Sequence, residues 1–227
     1  MRLHVILLLI LIVFTSIEVL AEPKEGSKIP EFTLTAIRVD EKNCTFRCTL
    51  KSSSLTGRTV LIVFYAYYCS HCNKELPELA AAWNQCSKEG DIAILVGVGG
   101  NSTRDYDLFR KYAASGWYFV PENYTFARLF GIEFVPVVLV VDGDGIIRQV
   151  NVGEAGRGKY CIGMNLAHSK SGQSKIEPIP CEPISCEQKP QQQLQSWQLP
   201  IPVEIAVVLV IIAFVIIAVL IRMKGKS

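Results

Sequence analysis

Apolar and polar positions follow two different rhythms along this chain. Residues 60–66, Val-Leu-Ile-Val-Phe-Tyr-Ala, form an unbroken apolar and largely β-branched run, the pattern of a strand buried on both faces. Residues 92–98 repeat it. Between them, Leu76, Leu79, Ala80, Trp83 and Cys86 recur at helical spacing and predict a helix over residues 73–87. Residues 32–39 and 44–50 read as the short strands of a hairpin, and residues 106–114 and 124–130 as further helices. Residues 135–141 and 146–152 flank Asp142-Gly143-Asp144-Gly145, whose Asp-Gly chemistry predicts a second hairpin. Strand, helix, strand, helix and hairpin in that order predict an α/β fold. Its mixed central sheet has a parallel core and an antiparallel edge hairpin, and helices flank it.

The two ends follow other rules. Met1-Arg2 precedes an apolar run over residues 5–14, and the next polar stretch closes on Val19-Leu20-Ala21. A positive start, an apolar centre and small residues before a cut predict a signal peptide over residues 1–21. Residues 203–221 are apolar except for Glu204, and as a helix they would cover ~28 Å, enough to cross a bilayer. Arg222, Lys224 and Lys226 follow and place residues 222–227 on the cytoplasmic side. The pattern therefore predicts a polar leader over 22–28, a compact domain over 29–168 and a Pro- and Gln-rich linker over 169–202. A single C-terminal anchor would hold the domain outside the cytoplasm.

The net charge of +2 is spread out, apart from the basic tail, so nothing argues for nucleic-acid binding. The chemistry lies in the eight cysteines. Cys69-Ser70-His71-Cys72 leaves a buried strand and opens a helix. There, free backbone N–H groups and the positive end of the helix dipole favour a thiolate at Cys69. Cys72, one turn in, is placed to resolve a mixed disulfide. Glu75 returns to nearly the same helix face and is a candidate for exchanging a proton with Cys72, or else a first-turn glutamate favoured by the dipole. A cationic His71 would stabilise the thiolate and make the disulfide more oxidising; a solvated one would do little.

Residues 29–153 resemble the thioredoxin-like domain of the TlpA/ResA family of extracytoplasmic thiol–disulfide oxidoreductases. Ile-Pro-Glu-Phe-Thr-Leu at 29–34, the strand and redox motif over 55–79, and Phe-Gly-Ile-Glu-Phe-Val-Pro over 130–136 carry the likeness. The resemblance implies a cis proline at Pro136 beside the cysteines, with Tyr68, Val135 and Pro136 shaping a groove for a substrate strand. It also implies a redox-active Cys69–Cys72 disulfide as the sole redox group, with no cofactor or metal. Protein thiols or disulfides would be the substrates, a membrane electron donor or acceptor the partner, and cytochrome c maturation a possible service. Cys-x-His-Cys is similar instead to DsbA-type oxidants, so the direction of electron flow stays open. Two positions depart from the pattern: Tyr68 stands where the family commonly has Trp, and Val63 where thioredoxin has a buried aspartate.

Six further cysteines, Cys44, Cys48, Cys86, Cys161, Cys181 and Cys186, are candidate structural disulfides. The local pairings are Cys44 with Cys48 and Cys181 with Cys186, which leaves Cys86 with Cys161. Zinc on the close pairs, and an electron relay from Cys181/Cys186 to the motif, are alternative uses. Asn43, Asn101 and Asn123 begin glycosylation sequons. Two other functions compete. A thiol peroxidase would need Pro and Thr ahead of the cysteine, where Ile62 and Ala66 stand. A non-enzymatic binding module would use all eight cysteines as staples.

Overall fold

The computed structural model describes residues 22–121, 123–171 and 176–186. The segments expected to be a signal peptide, a membrane anchor and a basic tail lie outside the described residues. Eight strands form one sheet in the order β7-β6-β3-β4-β5-β1-β2-β8. They are β1 (Thr33–Val39), β2 (Cys44–Lys51), β3 (Val60–Tyr65), β4 (Ile92–Gly97), β5 (Trp117–Val120), β6 (Val137–Val141), β7 (Ile147–Val152) and β8 (Cys181–Cys186). The helices are α1 (Ser70–Cys86), α2 (Ser102–Tyr112), α3 (Tyr124–Leu129) and α4 (Arg157–Lys170). Strands β3, β4 and β5 run parallel, while β6–β7 on one side and β1, β2 and β8 on the other are antiparallel.

The continuous apolar run of β3 is explained by the two faces it serves. Val60, Ile62 and Phe64 point into a core with Ile94, Leu139 and Phe126 of α3. Leu61, Val63 and Tyr65 point into a second core with Leu76 and Leu79 of α1, Phe109 of α2 and Met164 of α4. Burying a strand on both faces leaves its C-terminal end as the one place where the chain reaches solvent, and the motif follows there.

Three elements differ from the sequence pattern. β5 is only four residues long, too short for a period to show. α4 carries two glycines and no side-chain cap, so local propensity hides it. Its Gly163 is needed for close packing, because a Cβ there would collide with Gln149 and Val140. β8 lies inside the stretch expected to be a linker and exposes most of its residues, so no apolar alternation marks it. Arg58 helps to hold the approach to β8. Its Nη1 donates to the Gly90 carbonyl (2.8 Å) and its Nη2 to that of Glu177 (2.5 Å).

The three sequon asparagines sit at turns and caps. Asn43 adopts the left-handed conformation (φ 59°) between β1 and β2, which Asn tolerates better than most residues. The side chains of Asn101 and Asn123 accept from Arg104 N (3.1 Å) and Phe126 N (2.8 Å) as helix N-caps.

Candidate redox site

Cys69 is the N-cap of α1, four residues beyond the end of β3, and is disulfide-bonded to Cys72 with a Cα–Cα distance of 5.2 Å. Its Sγ accepts from Cys72 N at 3.1 Å. An N–H already aimed at this sulfur, at the positive end of a helix, is poised to hold a negative charge once the disulfide opens. Cys69 is half-buried and Cys72 is fully buried. Of the two sulfurs, that of Cys69 is the more accessible. Helix α1 starts three residues earlier than its apolar pattern indicates, because the polar Ser70 and His71 give no hydrophobic signal.

Across the cleft, the Val135–Pro136 peptide bond is cis, and the Val135 carbonyl oxygen lies 3.6 Å from Cys69 Sγ. Pro136 is buried and its carbonyl accepts from Gly153 N (2.9 Å), tying this loop to the end of β7. Tyr68, next to Cys69, and Phe134, next to Val135, stand 66% and 72% exposed, so the rim of the site is apolar and open. Phe134 is a rim residue that the sequence pattern did not single out.

Glu75 is buried, only 4% exposed. Its Oε1 accepts from Ala155 N and Gly156 N, both at 3.0 Å, in the loop that leads into α4. With Cys72, Leu76 and Pro136 it lines a crevice that has no room for water. Any proton passing between Glu75 and Cys72 would pass without bulk solvent. Tyr160 of α4 is fully buried beside it. Burial first, and then the neighbouring Glu75 carboxylate, raise the Tyr160 phenol above its usual range.

His71 points outward. Its Nδ1 lies 2.7 Å from Glu154 Oε1, with the two side chains 64% and 43% exposed, and Lys74 Nζ approaches the same oxygen at 3.6 Å. The hydrogen bond from His71, and then the nearby Lys74 charge, lower the Glu154 carboxyl below its ordinary value. The imidazole is thus engaged by an acidic partner 83 residues away, which local sequence could not reveal.

One further residue braces the site. Asp105, fully buried on α2, accepts from Tyr67 N (2.7 Å) and Gly99 N (2.9 Å), and its backbone carbonyl accepts from the Tyr65 hydroxyl (2.5 Å). It joins the turn before Cys69 to the end of β4. A Cβ at Gly99 would press to 2.6 Å from its carboxylate, so the small residue there makes room for it. The Gly97-Val98-Gly99 spacing was its only trace in the sequence.

The remaining cysteines correct the local pairing. Cys44 joins Cys186, Cys48 joins Cys181, and Cys86 joins Cys161. Four residues along an extended strand separate Cα atoms by ~13 Å, too far for a disulfide between Cys44 and Cys48. Their partners instead face them across the β2–β8 ladder, and a register shift between Thr45 and Phe46 absorbs the extra residue on β8. Cys181 and Cys186 thus lie five strands from β3, ~24 Å away at ordinary strand spacing, which removes them as a relay. In this oxidised form all eight cysteines are paired, so none offers a thiolate to zinc.

A family model described as Redoxin matches residues 24–160, more than half of the sequence. The chain belongs to the Redoxin family. This Redoxin is 31% identical to nucleoredoxin of Bos taurus over 112 residues, 46% of this chain and 25% of that protein. It is 28% identical to Protein DipZ of Mycobacterium bovis over 111 residues, 44% of this chain and 15% of that protein. The chain therefore spans a quarter or less of the length of these relatives. The thioredoxin domain of a thiol-disulfide oxidoreductase from Bacteroides vulgatus shares the fold. Its TM-score is 0.50 at 20% identity, over 63% of this chain and 98% of that one. The Redoxin domain has an α/β, thioredoxin-like fold.

Proposed function

We propose that this Redoxin is an extracytoplasmic thiol–disulfide oxidoreductase of the TlpA/ResA kind, anchored by its C-terminal segment and exchanging protein disulfides through Cys69 and Cys72. The observation that carries the reading is the half-buried Cys69 sulfur at the helix start, facing the cis Pro136 loop, with Cys72 sheltered against Glu75. Three further disulfides favour an oxidising compartment.

In the reducing direction, the Cys69 thiolate attacks a substrate disulfide. A mixed disulfide forms, and one substrate sulfur leaves as a thiolate that takes a proton from water. Cys72 gives its proton to Glu75, and its thiolate attacks the Cys69 sulfur. The second substrate sulfur leaves as a thiolate and takes up the proton that Glu75 releases, and the Cys69–Cys72 disulfide closes. One substrate disulfide becomes two thiols as the enzyme dithiol is oxidised. A membrane-bound electron donor then has to restore the dithiol.

The reducing direction is favoured because Glu154 engages the His71 side chain, which leaves Cys69 without an unpaired cation beside it. A reduction potential near that of thioredoxin, about −270 mV, supports a reductant suited to cytochrome c maturation; one near about −120 mV would make the protein a disulfide-forming oxidant. Cys69→Ser is expected to abolish turnover of a protein disulfide, and Cys72→Ser to accumulate the mixed disulfide. Full turnover by Cys69→Ser would end the redox reading in favour of a disulfide-stapled binding module.

A further inference from the structure

Tyr160 is fully buried in the core that holds Cys72, Leu76 and Leu79, and its hydroxyl has no partner within hydrogen-bonding geometry. A buried phenol normally finds one. Glu75 is its acidic neighbour, and the Oε1 of that carboxylate is taken by the N–H groups of Ala155 and Gly156, the latter four residues before Tyr160 at the entry to α4. We infer that Tyr160 is a positioning residue for proton exchange, holding the free oxygen of Glu75 toward Cys72 in both protonation states of the carboxyl. The inference rests on the role proposed for Glu75.

The chemistry of the three donors separates them. A backbone N–H only donates, so Ala155 and Gly156 satisfy a carboxylate but offer nothing to a carboxylic acid proton. A phenol hydroxyl donates to the carboxylate and accepts from the acid. The crevice beside Glu75 has no room for water, and the phenol that lines it, Tyr65, is committed to the Asp105 carbonyl. In the disulfide form the hydroxyl is unpartnered; once the dithiol forms and Glu75 is ionised, Tyr160 donates to it. When Glu75 has taken the Cys72 proton, the hydroxyl turns and accepts.

The other titratable groups on the elements packed around this pair are engaged elsewhere. Tyr65 on β3 donates to the Asp105 carbonyl (2.5 Å), Glu78 on α1 approaches Arg157 of α4 (3.8 Å), and Glu154 takes His71 (2.7 Å).

The test follows both chemical steps in the full-length protein across pH. Cys69 alkylation by iodoacetamide reads the first sulfur, and release of a thionitrobenzoate mixed disulfide by Cys72 reads the second. Tyr160→Phe is expected to leave Cys69 alkylation within about twofold, slow release roughly tenfold and move the pH at which release reaches half its limit. In a Glu75→Gln background the same change is expected to add nothing. A Tyr160→Phe protein with wild-type release and pH profile, while Glu75→Gln is slow, overturns the inference and spares the role of Glu75. Wild-type release by Glu75→Gln overturns both. If Tyr160→Phe does not fold, 3-fluorotyrosine at position 160, with its more acidic hydroxyl, should shift the same profile. An unshifted profile there would equally overturn the inference.

Discussion

His71 stands next to Cys72 in sequence, yet its ionic partner is Glu154 at 2.7 Å, so a carboxylate accompanies the imidazole beside the motif. Replacing Glu154 by Gln frees the imidazole to favour the Cys69 thiolate. The potential of the Cys69–Cys72 couple should then rise, and adding His71→Ala should return it; redox titration against glutathione reads both. The pair also has a pH window. Because the Glu154 carboxyl is held below its ordinary 4.5, its contribution is complete above that pH and is lost as pH falls through the lower folded value. Asp105 works by geometry. Asp105→Ala removes the acceptor of the part-buried Tyr67 N–H and of the buried Gly99 N–H, which should cost about 1–3 kcal/mol in urea unfolding and slow Cys69 alkylation as the turn loosens. Neither link was legible beforehand: Glu154 lies 83 residues from His71 and Asp105 lies 38 residues from Tyr67.

Among the elements, β8 has the least support from burial and the most from covalent bonds. Five of its six residues are exposed, and two disulfides fasten it to β2. With one bridge in place the other closes only a ring of about eleven residues, so removing either alone should cost roughly 2–3 kcal/mol. Removing both should cost more than twice that, since the second loss reopens a loop of well over a hundred residues. Thermal unfolding of Cys44→Ser/Cys186→Ser, Cys48→Ser/Cys181→Ser and the fourfold variant measures this non-additivity. Helix α1 shows the opposite balance. Its apolar face was plain in the sequence, but its true start at Ser70 depends on Cys69 serving as N-cap, and a sulfur cap leaves no periodic mark.

For the whole molecule, the β7-β6-β3-β4-β5-β1-β2-β8 order puts the redox motif at the end of a central strand and the stapled segment at the far edge. A chain ending at Lys170 would lack the partners of Cys44 and Cys48. It should titrate with two free thiols after oxidation, while a chain ending at Cys186 titrates with none. The sequence by itself determined the α/β class, the two doubly buried strands and the motif at a strand–helix junction, while Pro136 as its neighbour was implied by the family resemblance. The first three follow from hydrophobic period and local chain chemistry, which need no distant partner. Only the tertiary structure decided the cross-strand pairing of four cysteines, the acidic partner of His71, the phenol behind Glu75 and the strand hidden in a polar linker. Each of these depends on groups that meet through sheet register or helix packing. Such meetings bring together residues whose separation along the chain carries no period to read.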